Sequence, residues 1–298
     1  MTKTISHQAQ PNVCAVVTTF SPDEGFPDRI AKIQAQVQCV VIVDDGAYAV
    51  SKERLTRWFV GMHPGIELLH HATNRGVAAA LNTGLERAGA MGFTYAVLFD
   101  DDSTIAPGMV GRLVAAFDND PNQMPAIVGI SYSCAGEGSQ DRASGQFKEV
   151  PTVITAGSMI PLKIFQLVGP FREELFIDYV DIEYCLRARL LGVQIRQCLE
   201  VGMVQPIGQS QKTAWGELRS VHSPARTYYY FRNSLAIVRE YAWRFPGFAI
   251  WAGWQQFKTL VKIIFFMRPK RSYLRAMLHG WADGWACRFG RIPDDIGV

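Results

Sequence analysis

The sequence has no CxxC pair, no GxGxxG turn behind a strand, no Walker-type phosphate loop and no uncharged apolar stretch long enough to cross a bilayer. Each absence removes a class of function. The six cysteines, Cys14, Cys39, Cys134, Cys185, Cys198 and Cys287, sit mostly among apolar neighbours. They read as small buried hydrophobes of a reducing compartment, not as a disulfide framework or zinc site. A dinucleotide oxidoreductase on a parallel sheet would need the missing glycine fingerprint. The longest uncharged apolar run of the C-terminal region, Phe245 to Phe257, is shorter than the roughly 20 residues of a spanning helix. The first twelve residues, MTKTISHQAQPN, lack the apolar core of a secretory signal. They are expected to form a disordered tail (1–12) on a cytoplasmic protein. A net charge of +3 does not indicate a nucleic-acid binder.

What is present is an ordinary globular balance, 48% apolar and 19% charged over 298 residues, enough for one large α/β domain with a helical appendage. Short apolar, β-branched runs read as buried strands at Val13–Thr19, Cys39–Val43, Ile66–His70, Tyr95–Phe99, Ile127–Ile130 and Val153–Ile160. Helical spacing is seen over Phe26–Val37, after Asn74-Arg75-Gly76 (Val77, Ala80, Leu81, Leu85, Ala88, ending at Gly92), and from Pro107 (Val110, Leu113, Val114, Phe117). A further helix should bury Ile182, Cys185, Leu186 and Leu190, whereas Ser133 to Lys148 is polar and Gly/Ser-rich and reads as a loop or an exposed hairpin. Strands alternating with helices predict an α/β fold with a mostly parallel, doubly wound sheet, and long aromatic-rich helices follow from about residue 225.

In such sheets the ligand crevice lies beyond the carboxyl ends of the strands, and two strands end in acidic clusters, Asp44-Asp45 and Asp100-Asp101-Asp102. In an extended segment Asp100 and Asp102 share one side, with Asp101 opposite. Two carboxylates suit Mg²⁺ or Mn²⁺, which take their remaining oxygens from phosphates and water. The plain alternative is a solvated acidic turn capping the next helix. Asp44-Asp45 reads either as acceptors for a base or ribose, or as a turn before Gly46. Asn74-Arg75-Gly76 reads as an anion site at a helix N-terminus or as a cap. Asp178-Tyr-Val-Asp-Ile-Glu183 supplies carboxylates for proton abstraction from an acceptor hydroxyl. Asp181 is equally placed to cap a helix, and Glu183 to pair with Arg187. Arg226-Thr-Tyr-Tyr-Tyr-Phe-Arg232-Asn233 offers guanidinium forks for phosphate or simply an aromatic helix packed on the domain.

In this order the motifs resemble those of inverting family 2 glycosyltransferases of GT-A fold, and among them the bacterial rhamnosyltransferases of surface-polysaccharide synthesis. The resemblance spans about residues 13–290. It rests on Val16-Val-Thr-Thr-Phe20, Val43-Asp-Asp-Gly46, Asn74 to Gly84, Phe99-Asp-Asp-Asp-Ser103, Ala156-Gly-Ser158, Phe176 to Glu183 with Arg187, and Arg226 to Asn233. It implies a GT-A catalytic domain over 13–225 and a helical extension over 226–298. It further implies transfer of L-rhamnose from dTDP-rhamnose to a glycan or polyprenyl-linked acceptor, with UDP-hexose donors or an inactive sugar-nucleotide module as rivals. By residue, it puts Thr18 and Asp44 near the base and ribose, and Arg75 and Asn82 along the donor. Asp100, Asp101 and Asp102 fall in the DxD segment, with Asp102 the metal ligand beside Asp100. Asp181 becomes the base with Asp178 in reserve, and Arg226, Tyr229 and Arg232 approach the pyrophosphate. Two positions depart from the family pattern: Val180-Asp181 replaces Glu-Asp, and Gln205-Pro-Ile-Gly208 replaces His-x-x-Gly, with His222 a weak substitute ligand.

The C-terminal end carries eight Lys/Arg between Lys258 and Arg291 against one acid, Asp283. With the aromatics of Phe245 to Met267 this predicts an interfacial helix on the inner face of the cell membrane. A core helix and a homodimer contact are the other readings of the same face.

Overall fold

The computed structural model describes residues 12–46, 48–59, 61, 64–118, 124–131, 147–202, 210–212, 218–220 and 223–292. The expected tail therefore lies almost wholly outside the described residues, as do Cys134, Gln205, His222 and most of the 133–148 loop.

The chain alternates as predicted. Strand β1 (Val13–Thr19) is followed by helix α1 (Phe26–Gln34), β2 (Cys39–Asp44), α2 (Ala49–Phe59), β3 (Ile66–His70), α3 (Val77–Ala90), β4 (Tyr95–Asp100) and α4 (Met109–Asp118). Then come β5 (Ala126–Ser131), β6 (Phe147–Glu149), β7 (Met159–Pro161), α5 (Leu162–Val168), α6 (Val180–Leu190) and β8 (Gln194–Gly202). A short hairpin, β9 (Ser210–Lys212) and β10 (Leu218–Ser220), leads to three helices, α7 (Pro224–Tyr241), α8 (Pro246–Phe266) and α9 (Lys270–Trp285).

Among the described residues, eight strands form one sheet in the order β3-β2-β1-β4-β7-β5-β8-β6. The β3-β2-β1-β4 half is parallel throughout, as is the β5–β8 pair; β7 and β6 run antiparallel to their neighbours. Every residue of β1 and β2 is buried, because the sheet is covered on both faces. The two-residue period divides the core. Cys14, Val16, Val41 and Val43 pack with Ala80, Leu81 and Leu85 of α3, whereas Val13, Ala15, Val17, Val40 and Ile42 pack with Phe26, Ile30 and Ile33 of α1 and Leu113 of α4.

Some expectations need correction. Val153–Ile160 is not one strand: β7 begins only at Met159. The chain turns at Gly157, whose φ of +77° glycine alone adopts without strain, and Ser158 N–H donates to Thr155 O at 2.9 Å. Helix α4 starts at Met109, after a turn in which Met109 N–H donates to Ala106 O. Helix α1 stops at Gln34, short of Val37. On α6, Leu190 is exposed and Glu183 is buried, because Arg187 neutralises its carboxylate and the Tyr241 hydroxyl donates to it, at 2.9 Å each. Cys287 is exposed, unlike the other described cysteines.

Helix α9 lies against α7 at close range. A Cβ on Gly280 would stand 2.5 Å from Tyr228 O, and one on Gly284 2.5 Å from Arg232 O. A methyl at Gly284 must push two backbones apart. The expected overpacking loss of about 1–3 kcal/mol exceeds the helix-propensity gain of about 1 kcal/mol for Gly→Ala. Denaturant melts should therefore show Gly284→Ala destabilised. Gly253→Ala on α8, where nothing lies within 4 Å, should be neutral or stabilised.

Candidate active site

Parallel pairing sets the site's floor. In register, Thr19 of β1 lies beside Asp44 of β2, and Thr18 beside Asp100 of β4. Asp44 and Asp100 therefore flank the end of β1 at the carboxyl edge of the sheet. Thr18, Thr19, Asp44 and Asp45 are all buried.

The two acids ending β2 divide their work. Asp44 Oδ2 pairs with His70 Nδ1 at 2.8 Å. Asp45 shapes the neighbouring loop: its carboxylate accepts from Arg75 N–H at 2.9 Å and Gly76 N–H at 2.7 Å, and contacts His71 Nδ1 at 2.8 Å. His71 Nε2 in turn reaches Thr83 Oγ1 at 3.0 Å. The cap position of α3 is Gly76, not Asn74; Asp45 serves the amides there, and Asn74 Oδ1 also accepts from Gly76 N–H at 3.1 Å. Sequence reading did not single out Asp45 separately from Asp44, or His70 and His71 at all. Two acids followed at one strand's distance by two histidines was the available signal.

The second acidic cluster is a tight turn. Asp100 N–H donates to Ser103 Oγ at 3.0 Å, and Ser103 N–H to Asp100 O at 3.1 Å. Asp101 faces the β1 loop, where it accepts from Thr19 Oγ1 at 2.9 Å and Phe20 N–H at 3.4 Å, while Arg29 Nε donates to its carbonyl at 2.7 Å. Burial, then the Asp102, Asp101 and Asp181 charges, push Asp100 up to about 7, with Arg226 opposing. Asp101 is raised by burial despite its hydrogen bonds.

The segment entering α6 supplies a second set of carboxylates, of which Asp181 acts on Asp100. Asp178 holds Arg226 from the first turn of α7, with Nε and Nη2 each 3.1 Å from Oδ1. Asp181 accepts from Ile182 N–H at 2.8 Å. Burial pushes Asp181 up to about 6, and the Asp178 charge adds to this while Arg226 offsets it. For Arg226, burial works against its charge, but Asp178, Asp100 and Asp181 outweigh it and raise its pKa. These mutual influences put Asp100, Asp102, Asp178, Asp181 and Arg226 in one electrostatic neighbourhood, contributed by the end of β4, the α6 entry and the start of α7.

Other expected donor contacts are engaged elsewhere. Arg75 forms a surface ion pair with Glu173 at 2.7 Å. Asn82 is buried, exchanging hydrogen bonds with the Phe171 backbone at 2.8 and 2.9 Å. Tyr229 stacks on Phe176, ring centroids 5.0 Å apart, and its hydroxyl accepts from Ile292 N–H at 2.7 Å. Arg232 is fully buried beneath the α6 entry. Successive turns of α7 carry these side chains away from the crevice that Arg226 reaches, so the expectation that Tyr229 and Arg232 approach the pyrophosphate is not met here.

Asp100 and Asp102 form a hard, oxygen-only donor pair whose mutual repulsion a divalent cation would relieve, which fits Mg²⁺ or Mn²⁺. Among the described residues no group of three His, Cys, Asp or Glu side chains makes a closed metal site. An ion here would depend on phosphate oxygens and water for its remaining ligands.

Comparison with known proteins gives the family and the fold. Residues 14–172 match the model of "Glycosyl transferase family 2". The chain is 30% identical over 247 residues to the dTDP-rhamnosyl transferase RfbF of Shigella flexneri, covering 77% of this chain and 80% of that one. The crystal structure of S. aureus TarS 1-349 superposes with a TM-score of 0.60 at 11% identity, covering 91% of this chain and 80% of that one. A second TarS 1-349 structure, in complex with UDP-GlcNAc, gives 0.56 at 13% identity, covering 95% and 82%. GalNAc-T7 with UDP, GalNAc and Mn²⁺ gives 0.58 at 10% identity, covering 78% of this chain and 48% of that one. At such identities the structural likenesses speak for the GT-A fold alone. With a family match over more than half its length and strand-end carboxylates in one electrostatic neighbourhood with a second acidic segment, the chain belongs to glycosyl transferase family 2 and is a glycosyltransferase of GT-A fold with a helical C-terminal region.

Proposed function

We propose that this glycosyltransferase moves L-rhamnose from dTDP-rhamnose to a hydroxyl of a glycan or polyprenyl-linked acceptor, with inversion, in cell-surface polysaccharide synthesis. What carries the reading is the electrostatic influence of Asp181 and Arg226 on Asp100, with Arg226 held at 3.1 Å by Asp178. The donor is argued from the rhamnosyl transferase relative. Thr18 and Asp44 would receive the nucleoside at the sheet edge, and Asp100 and Asp102 would hold Mg²⁺ or Mn²⁺. When bound, such an ion neutralises charge on the departing diphosphate. Arg226, held by Asp178 and acted on by Asp100 and Asp181, is the guanidinium we assign to fork onto phosphate oxygens. Asp181 takes the acceptor hydroxyl proton as the new C1–O bond forms and the C1–O bond to phosphate breaks on the opposite face. A carboxylate raised to about 6 is a stronger base than an ordinary one, yet still ionised at neutral pH.

The same reading gives α8 a role. Only Ala252 and Ile263 of its 21 residues are buried, and Trp251, Trp254, Phe257, Phe265 and Phe266 are exposed. From Pro246 to Ala282 the charged side chains are Lys258, Lys262, Arg268, Lys270, Arg271 and Arg275, with no acid. No helix among the described residues is long and apolar enough to cross a membrane. An aromatic face with cations and no anions suits an anionic lipid surface, where a lipid-linked acceptor would be presented.

A donor screen tests the chemistry. Hydrolysis and transfer should respond to dTDP-rhamnose over UDP-glucose, UDP-galactose and GDP-mannose, and EDTA or Asp102→Ala should abolish the response. Preference for a UDP-hexose would remove the rhamnose assignment, and silence towards every donor would favour an inactive module. Asp181→Asn should lower kcat by about 10²-fold or more, the span of general-base contributions.

The pH profile follows from the sign of the shift. Because the base acts deprotonated, kcat/KM should rise tenfold per pH unit below about 6 and level off above it. A limb centred near 4 would contradict the buried-base assignment.

Flotation with vesicles should recover the protein on phosphatidylglycerol-containing membranes but not on pure phosphatidylcholine. Salt, or Trp254→Ser with Phe265→Ser, should release it. A salt-resistant dimer in solution, with no vesicle binding, would instead assign the face to a second copy.

A further inference from the structure

Three of the four residues entering α6 have positive φ: Phe176 at +66° (ψ −64°), where Ile177 N–H donates to Leu175 O at 2.8 Å, Asp178 at +62° and Tyr179 at +66°. Such conformations cost non-glycine residues on the order of 1 kcal/mol or more each, and persist only where surroundings over-determine them. Here the surroundings are two consecutive, fully buried side chains of α7, Arg232 and Asn233.

The Asn233 amide donates to Leu175 O at 2.9 Å, Ile177 O at 2.8 Å and Asp178 O at 2.8 Å, thereby gathering three carbonyls of the segment. Its oxygen accepts from Arg232 Nε at 2.8 Å, which fixes the amide's orientation. The rest of the Arg232 guanidinium serves Leu175 O at 2.9 Å, Glu174 O at 3.3 Å and Gly290 O. A cation buried against neutral carbonyls is expensive. From the other side, Val77 N–H donates to Phe176 O at 2.9 Å, and a Cβ on Gly76 would stand 2.4 Å from that oxygen. The segment is thus held between the start of α3 and the middle of α7, three residues ahead of Asp181.

We propose that Arg232 and Asn233 are positioning residues. Their side chains hold residues 175–178 in the positive-φ path that delivers Asp178 and Asp181 to the crevice, and they do not touch the donor. The inference rests on the reading of Asp181 as base for its catalytic consequence. The clamp itself does not depend on it.

The test uses the full chain with Asn233→Ala, Asn233→Ser, Arg232→Lys and Arg232→Met, followed by hydrogen exchange, nucleotide binding and steady-state kinetics. For Asn233→Ala, amides 176–180 should exchange at least tenfold faster while those of β1 and β2 keep their protection. Affinity for dTDP should change less than about threefold, and kcat should fall about 10²-fold, the scale on which displacement of a reacting group is felt. Arg232→Lys and Asn233→Ser, which keep a donor, should retain more kcat than Arg232→Met and Asn233→Ala. If the alanine variant does not fold, the serine and lysine variants carry the same comparison.

Unchanged exchange at 176–180 would overturn the clamp. Faster exchange with undiminished kcat would overturn its role in positioning. Equal losses in kcat and dTDP affinity would return Arg232 to the donor site. An active Asp181→Asn would sink the base assignment alone, and the exchange result would still decide the clamp.

Discussion

Like charges crowded where water is scarce are the constraint on which this molecule turns. Asp100, Asp178 and Asp181 share the Arg226 guanidinium, and the Asp101 and Asp102 charges add to the crowding at Asp100. Left alone, carboxylates in that setting take up protons, as the upward shifts of Asp100 and Asp181 record. A fold keeps such an arrangement by fixing the carboxylates themselves or the backbone that carries them. The Ser103 turn does so for Asp100, the β1 loop for Asp101, and the bonds of Asn233 for the segment ahead of Asp181.

The sheet and the C-terminal helices share that task unequally. Parallel pairing puts Asp44 and Asp100 on either side of β1 with no side-chain intervention, because hydrogen-bonded register alone decides which residues end together. The α6 entry has no such lattice. Its path is set by α7, which α9 holds through the glycine contacts at Gly280 and Gly284. Helices that look like an appendage in the sequence thus act on the crevice through Arg226, Arg232 and Asn233.

Much of this was legible in the residues, for identifiable reasons. Buried parallel strands write continuous apolar runs, so β1, β2 and β4 and the acids that end them could be read directly. Amphipathic spacing likewise located α3. Arg226 and Arg232 look alike in sequence, both guanidiniums bordering an aromatic run. Only three-dimensional packing separates the first-turn residue at the crevice from the one two turns further on, sunk among carbonyls. The same limit hid the structural use of Asn82 and Tyr229. Hydrogen bonds between residues some 60 to 90 positions apart leave no periodic trace. Val153–Ile160 misled for a different reason: its apolar composition reflects burial, whereas its path is set by the turn at Gly157.

Anomalous diffraction at the manganese edge, from crystals grown with dTDP and Mn²⁺, tests the central claim most directly. One strong peak is expected at Asp100 or Asp102 beside the diphosphate, with Arg226 on the phosphate oxygens and Asp181 on the far side of the sugar position. A diphosphate bound away from the β4 end, or manganese on other ligands with Asp100 and Asp102 uninvolved, would contradict it.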